Sequence, residues 1–85
     1  MPTKTVIVGS AVGLHARPAA IIAEAAEELG SEVYLAIPGD EPVEASSALL
    51  IMTLGAGSGA TVEVSGDDQT AVDTIATLVE QDLDA

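Results

Sequence analysis

GLHARPAAIIAEAAEELG, residues 13–30, is the stretch from which the rest of the chain can be read. From Ala16 to Leu29 it is rich in good helix formers, and Gly30 stands where a helix C-cap belongs. Pro18 fits only the first turn of such a helix, where its missing N–H is not required. Ile22, Ala25 and Leu29, flanked by Pro18 and Ile21, form the expected inward stripe, with Glu24, Glu27 and Glu28 off it. Glutamates near a helix C-terminus oppose the macrodipole, so a mild cost is expected there.

Upstream of this helix, TKTVIV (3–8) alternates, with Val6 and Val8 on one face, and reads as a strand leading into a loop over 9–13. Downstream, EVYLAI (32–37) alternates with Val33, Leu35 and Ile37 inward. PGDEP (38–42) is turn chemistry before a short strand at 43–45. Ser46 and Ser47 are N-cap candidates for a short apolar helix, ALLIMTL (48–54). GAGSG (55–59) ends that helix, and ATVEV (60–64) is a fourth strand. Asp67 or Asp68 then caps a last helix running to about Leu83, with Val72, Ile75, Leu78 and Val79 buried. The order is β-α-β-β-α-β-α. Strands this short and half-polar favour an antiparallel sheet with helices on one side and water on the other. The predicted fold is an α+β open-faced sandwich of four strands and three helices.

Eighty-five residues imply one domain, 1–85, and 48% hydrophobic content suffices for a compact core. With no cysteine, disulfides and thiolate metal sites are excluded. No apolar run approaches the roughly 20 residues that span a bilayer. The start, MPTKTVIVG, lacks the features of a signal peptide, so a cytoplasmic protein is expected. Fourteen acidic residues against two basic ones give a net charge of −12. Nucleic acid and anionic membranes are therefore disfavoured as partners. Solubility, adaptation to a salty interior, or a cationic partner would each account for the excess.

Against that background His15, the only histidine, stands two residues from Arg17, one of the two basic residues. A residue just before a helix sees the unpaired N–H groups of its first turn, here those of Ala16 and Arg17, since Pro18 has none. Such donors and the positive end of the helix dipole bind anions, phosphate above all. Arg17 adds a permanent planar donor able to hold a phosphoryl oxygen. The combination suits an imidazole that accepts a phosphoryl group. One histidine without a ligand cluster does not suit a metal, and no histidine-paired nucleophile points to a hydrolase. Taken alone, a histidine in this position also serves as a cap or a surface residue. GAGSG follows a helix and lacks the Gly-Lys-Ser/Thr of a P-loop, so it reads as a turn. Tyr34 points away from the inward residues of its strand and is given no role.

GLHARPA resembles the phosphorylation signature of the HPr family, the histidine-containing phosphocarriers of the phosphoenolpyruvate-dependent sugar phosphotransferase system. The likeness runs through nearly the whole chain, with ASSALLIMTLG, the glycine-rich loop, ATVEVSGDD and the last helix in the family's order. It implies the same open-faced β-α-β-β-α-β-α sandwich. It implies that Nδ1 of His15 accepts a phosphoryl group from enzyme I, charged by phosphoenolpyruvate, and passes it to sugar-specific IIA proteins. Arg17 would assist both transfers. Such a protein is a relay without a cofactor, not a complete enzyme, and a monomer is expected. A regulatory or nitrogen-system paralogue, and an HPr-like interaction module that never carries phosphate, are the alternatives; known modules of that kind lack the histidine.

The likeness also places a docking patch on Ala16, Ala20, Ala48, Leu49 and Met52. Many members carry lysines in this region, where this chain has Glu24, Glu27, Leu49 and Leu50, so the patch should have little positive rim. Val12 occupies a position that is polar in many members. Ser47 matches the family's regulatory serine, with Ser46 as a competitor. An N-cap is the simpler role for either.

Overall fold

In the computed structural model, which describes residues 2–83, seven elements follow in the expected order. They are β1 (Thr3–Ile7), α1 (Ala16–Leu29), β2 (Val33–Ala36), β3 (Val43–Glu44), α2 (Ala48–Thr53), β4 (Thr61–Gly66) and α3 (Gln69–Glu80). The sheet order is β1-β4-β2-β3, and every neighbouring pair is antiparallel. Val6 opposite Val62 and Leu35 opposite Val64 fix the register. A one-residue slip would turn these apolar side chains into water.

Alternation separates the two faces. Val6, Val62, Val64, Val33 and Leu35 are buried beneath the helices, where they meet Ile22 of α1, Ile51 of α2, and Val72, Ile75 and Val79 of α3. Each fully buried side chain of this size contributes about 1.5–3 kcal/mol relative to exposure. The other face carries Thr5, Thr61, Glu63 and Ser65, which tolerate water.

Several boundaries differ from those read in the sequence. The buried stripe of α1 is Pro18, Ala19, Ile22, Ala23 and Ala26, while Ala25 and Leu29 are only half-buried. α1 makes its close backbone approaches to α2 and α3, and small alanines occupy its buried side. α3 ends at Glu80, short of Leu83, and Leu78 is half-buried where Ala71 and Ala76 are fully buried. β4 runs 61–66, longer than 60–64, because its last residues pair with both β1 and β2. β1 stops at Ile7, although Val8 keeps the inward side and remains buried. β2 spans Val33–Ala36 and β3 Val43–Glu44, each shorter than read; Ala45, next along, is fully buried and donates its N–H to the Val33 carbonyl at 2.8 Å.

Candidate functional site

His15 occupies the N-cap position of α1 in extended conformation, φ −81° and ψ −170°. Its carbonyl accepts the Ala19 N–H at 2.9 Å, while its side chain makes no capping hydrogen bond. The imidazole is therefore left exposed and uncommitted. Ala16 and Arg17, also exposed, form the first turn, and no hydrogen bond to either backbone N–H is formed among the described residues. No acidic residue stands in that first turn to occupy the positive helix end. Among the described residues Arg17 forms no ion pair. Lys4, by contrast, lies 3.9 Å from Asp73 of α3.

The loop before His15 is held from behind by the glycine-rich loop. Leu14 donates its N–H to the Ala56 carbonyl at 2.9 Å, and the Leu14 side chain is buried. Gly13 has a left-handed φ of 76°, and a Cβ there would stand 2.6 Å from the Ala56 oxygen and 2.7 Å from Gly57 Cα. Only glycine permits both that conformation and that approach. GAGSG is thus more than a turn. Its backbone supports the histidine loop, a role that could not be read locally because the two loops are distant in sequence.

A depression of ≈ 360 Å³ opens beside the imidazole. Val12, Leu14 and His15 line it from one side, Met52 and residues 55–57 from the other. Ala20 and Leu49 are exposed, Leu49 to 70%; Ala48 is half-buried and Met52 marginally exposed. The residues expected to form an apolar patch therefore lie on α1 and α2, which pack against each other. Ser47 caps α2, its Oγ accepting the Leu50 N–H at 3.2 Å, and Ser46 is exposed without a capping role. Asp68, not Asp67, caps α3, accepting the Thr70 N–H at 3.0 Å. Among the described residues no group of three His, Cys, Asp or Glu side chains is placed to hold a metal ion, and no helix is long and apolar enough to cross a membrane.

Residues 2–81 match the family model described as PTS HPr component phosphorylation site. A phosphocarrier protein HPr of Streptomyces coelicolor is 38% identical over 87 residues, covering 99% of this chain and 94% of that protein. An HPr-like protein Crh of Halalkalibacterium halodurans is 33% identical over 85 residues, covering 96% and 100% respectively. The crystal structure of HPr-C-His from Thermoanaerobacter tengcongensis superposes with a TM-score of 0.87 at 28% identity, covering 100% of this chain and 98% of that one.

Proposed function

Since this chain belongs to the HPr family of phosphotransferase-system phosphocarriers, we propose that it relays a phosphoryl group from enzyme I to sugar-specific IIA proteins through His15. Residues 1–85 act as one HPr unit, working as a monomer in the cytoplasm. The observation that carries this reading is an exposed imidazole at the N-cap of α1, beside two backbone N–H groups and a guanidinium, none of them partnered among the described residues.

The lone pair of Nδ1 attacks phosphorus as the bond from phosphorus to enzyme I breaks, giving an Nδ1–P bond. The reverse bond change delivers the group to IIA. The N–H groups of Ala16 and Arg17, with the positive end of the α1 dipole, stabilise the phosphoryl oxygens. The Arg17 guanidinium screens charge as donor and acceptor oxygens approach each other. All of these donors are at the surface. They hold the group without enclosing it, as a relay requires, because a deeply stabilised intermediate would be slow to leave.

The test is incubation with enzyme I, magnesium and phosphoenolpyruvate. One acid-labile, base-stable phosphoryl group should form, vanish in His15→Ala, and form more slowly in Arg17→Ala. Labelling that persists in His15→Ala would overturn the assignment. The likeness to an HPr-like protein Crh supports a second reading, a regulatory paralogue. Normal labelling by enzyme I with no onward transfer to any IIA protein would favour it. Ser47 acts first as a cap in this reading. Phosphoserine recovered at Ser47 or Ser46 from cells would add a regulatory role.

A further inference from the structure

The histidine loop is gripped through its backbone at both ends. At one end Gly13 lies against the glycine-rich loop. At the other, Gly9 donates its N–H to the Val79 carbonyl at 3.0 Å, on the last turn of α3. A Cβ on Gly9 would overlap the Glu80 carbonyl oxygen, and would stand 2.6 Å from the Glu80 carbonyl carbon and 3.2 Å from that of Gln81. Between the two grips the chain makes one turn, closed by the Gly13 N–H on the Ser10 carbonyl at 3.0 Å. Only Leu14 stands between that turn and His15, the N-cap of α1.

The two sides of the Gly9 contact differ in what can yield. The last turn of α3 is set in the core: Ile75, Ala76 and Val79 are at most 1% exposed, and Leu83, just beyond, packs against the same cluster. In the loop, Ala11 and Val12 are exposed. A side chain at residue 9 would therefore displace the turn rather than the helix, and the displacement would reach the imidazole.

We propose that Gly9 is a positioning residue for phosphoryl transfer. By letting the last turn of α3 close on the base of the histidine loop, it sets the imidazole against the Ala16 and Arg17 N–H groups. The proposal rests on the carrier reading of His15 and adds a residue that serves this site without touching it. Alignment of this kind governs rate, since misplacing reacting groups by about 1 Å costs roughly 10²-fold. Gly9 contacts α3, away from the α1–α2 face, so its effect falls on the transfer step and not on association.

Single-turnover transfer from phosphorylated enzyme I, followed over a range of carrier concentrations, separates the saturating rate from the half-saturating concentration. In Gly9→Ala the saturating rate should fall about tenfold with the half-saturating concentration unchanged. The amide resonances of residues 10–17 should shift while those of α2 stay in place. Gly30→Ala is the control. Gly30 has a left-handed φ of 69° at the C-cap of α1 and open space around an added Cβ, so that variant is strained without disturbing the loop. Its saturating rate should equal that of the parent chain. Leu83→Ala, which loosens the last turn of α3 without adding bulk, should lower the rate in the same direction, and it decides the matter if Gly9→Ala does not fold. A parental rate in the variant that decides, an equal loss in Gly30→Ala, or a raised half-saturating concentration at unchanged rate would each overturn the proposal. Failure of the parent chain to accept a phosphoryl group would instead sink the carrier reading. The amide shifts are read without enzyme I and keep the two failures apart.

Discussion

Among the described residues Ser10 is the one buried polar side chain, 1% exposed, and its Oγ has no hydrogen-bond partner there. It continues the inward alternation of Val6 and Val8 beyond the end of β1. A buried hydroxyl left unpaired is costly. Ser10→Ala should therefore raise stability by up to about 1 kcal/mol in urea unfolding; a clear loss would show that the hydroxyl is bonded in solution. Gly9, its neighbour, cannot carry a side chain, since a Cβ would overlap the Glu80 carbonyl. Tyr34, the only aromatic residue, is a second case. Its hydroxyl donates to Glu32, which raises its pKa above 10.0, with lesser upward contributions from burial and from the charges of Glu32, Glu44 and Asp67. The folded state thus holds the phenolic proton more tightly than the unfolded chain does. Its contribution to stability is complete below 10.0 and is lost as pH rises through the raised value. Phenolate absorbance should report a midpoint above 10.0 that moves back toward it in Glu32→Gln; an unchanged midpoint would contradict the assigned cause.

At the scale of elements, periodicity and capping account for most of what could be read in advance. Helix α1 lies between Ala16 and Leu29 as read, because Pro18 limits its start and Gly30 its end. The choice between Ser46 and Ser47 could not be made from sequence, since both are adequate caps. Ser47 is the cap because the turn after β3, with its N–H bonded to the Glu44 carbonyl at 3.2 Å, brings its Oγ to Leu50. Ser47→Ala should destabilise the protein by about 1 kcal/mol, and Ser46→Ala should change it little. Faster amide exchange at Leu50 in the first variant alone would confirm the cap, and equal effects would contradict it. The stripe of α1 includes Pro18 and Ile22 as read, while Ala25 and Leu29 are half-buried against the core and Ala19, Ala23 and Ala26 are buried in addition. α1 buries Ala19, Ala23 and Ala26 as it packs close to α2 and α3, a preference for small side chains that hydrophobicity alone does not encode.

For the whole molecule, a net charge of −12 is spread over a body with a radius of gyration of only 10.9 Å. The Lys4–Asp73 contact is about half exposed at both ends and offsets little of the repulsion. Screening shortens from about 10 Å at 0.1 M salt to about 3 Å at 1 M. The melting temperature should accordingly climb as potassium chloride is raised across that range, and a flat profile would contradict dominant self-repulsion. The sequence by itself determined the element order, the two faces of each strand, and the location of His15 and Arg17 at a helix start. These depend on local periodicity, capping and backbone constraints. Only the tertiary structure decided that β4 lies between β1 and β2 and that GAGSG supports the histidine loop. Those relations join residues far apart in the chain, and packing alone brings them together.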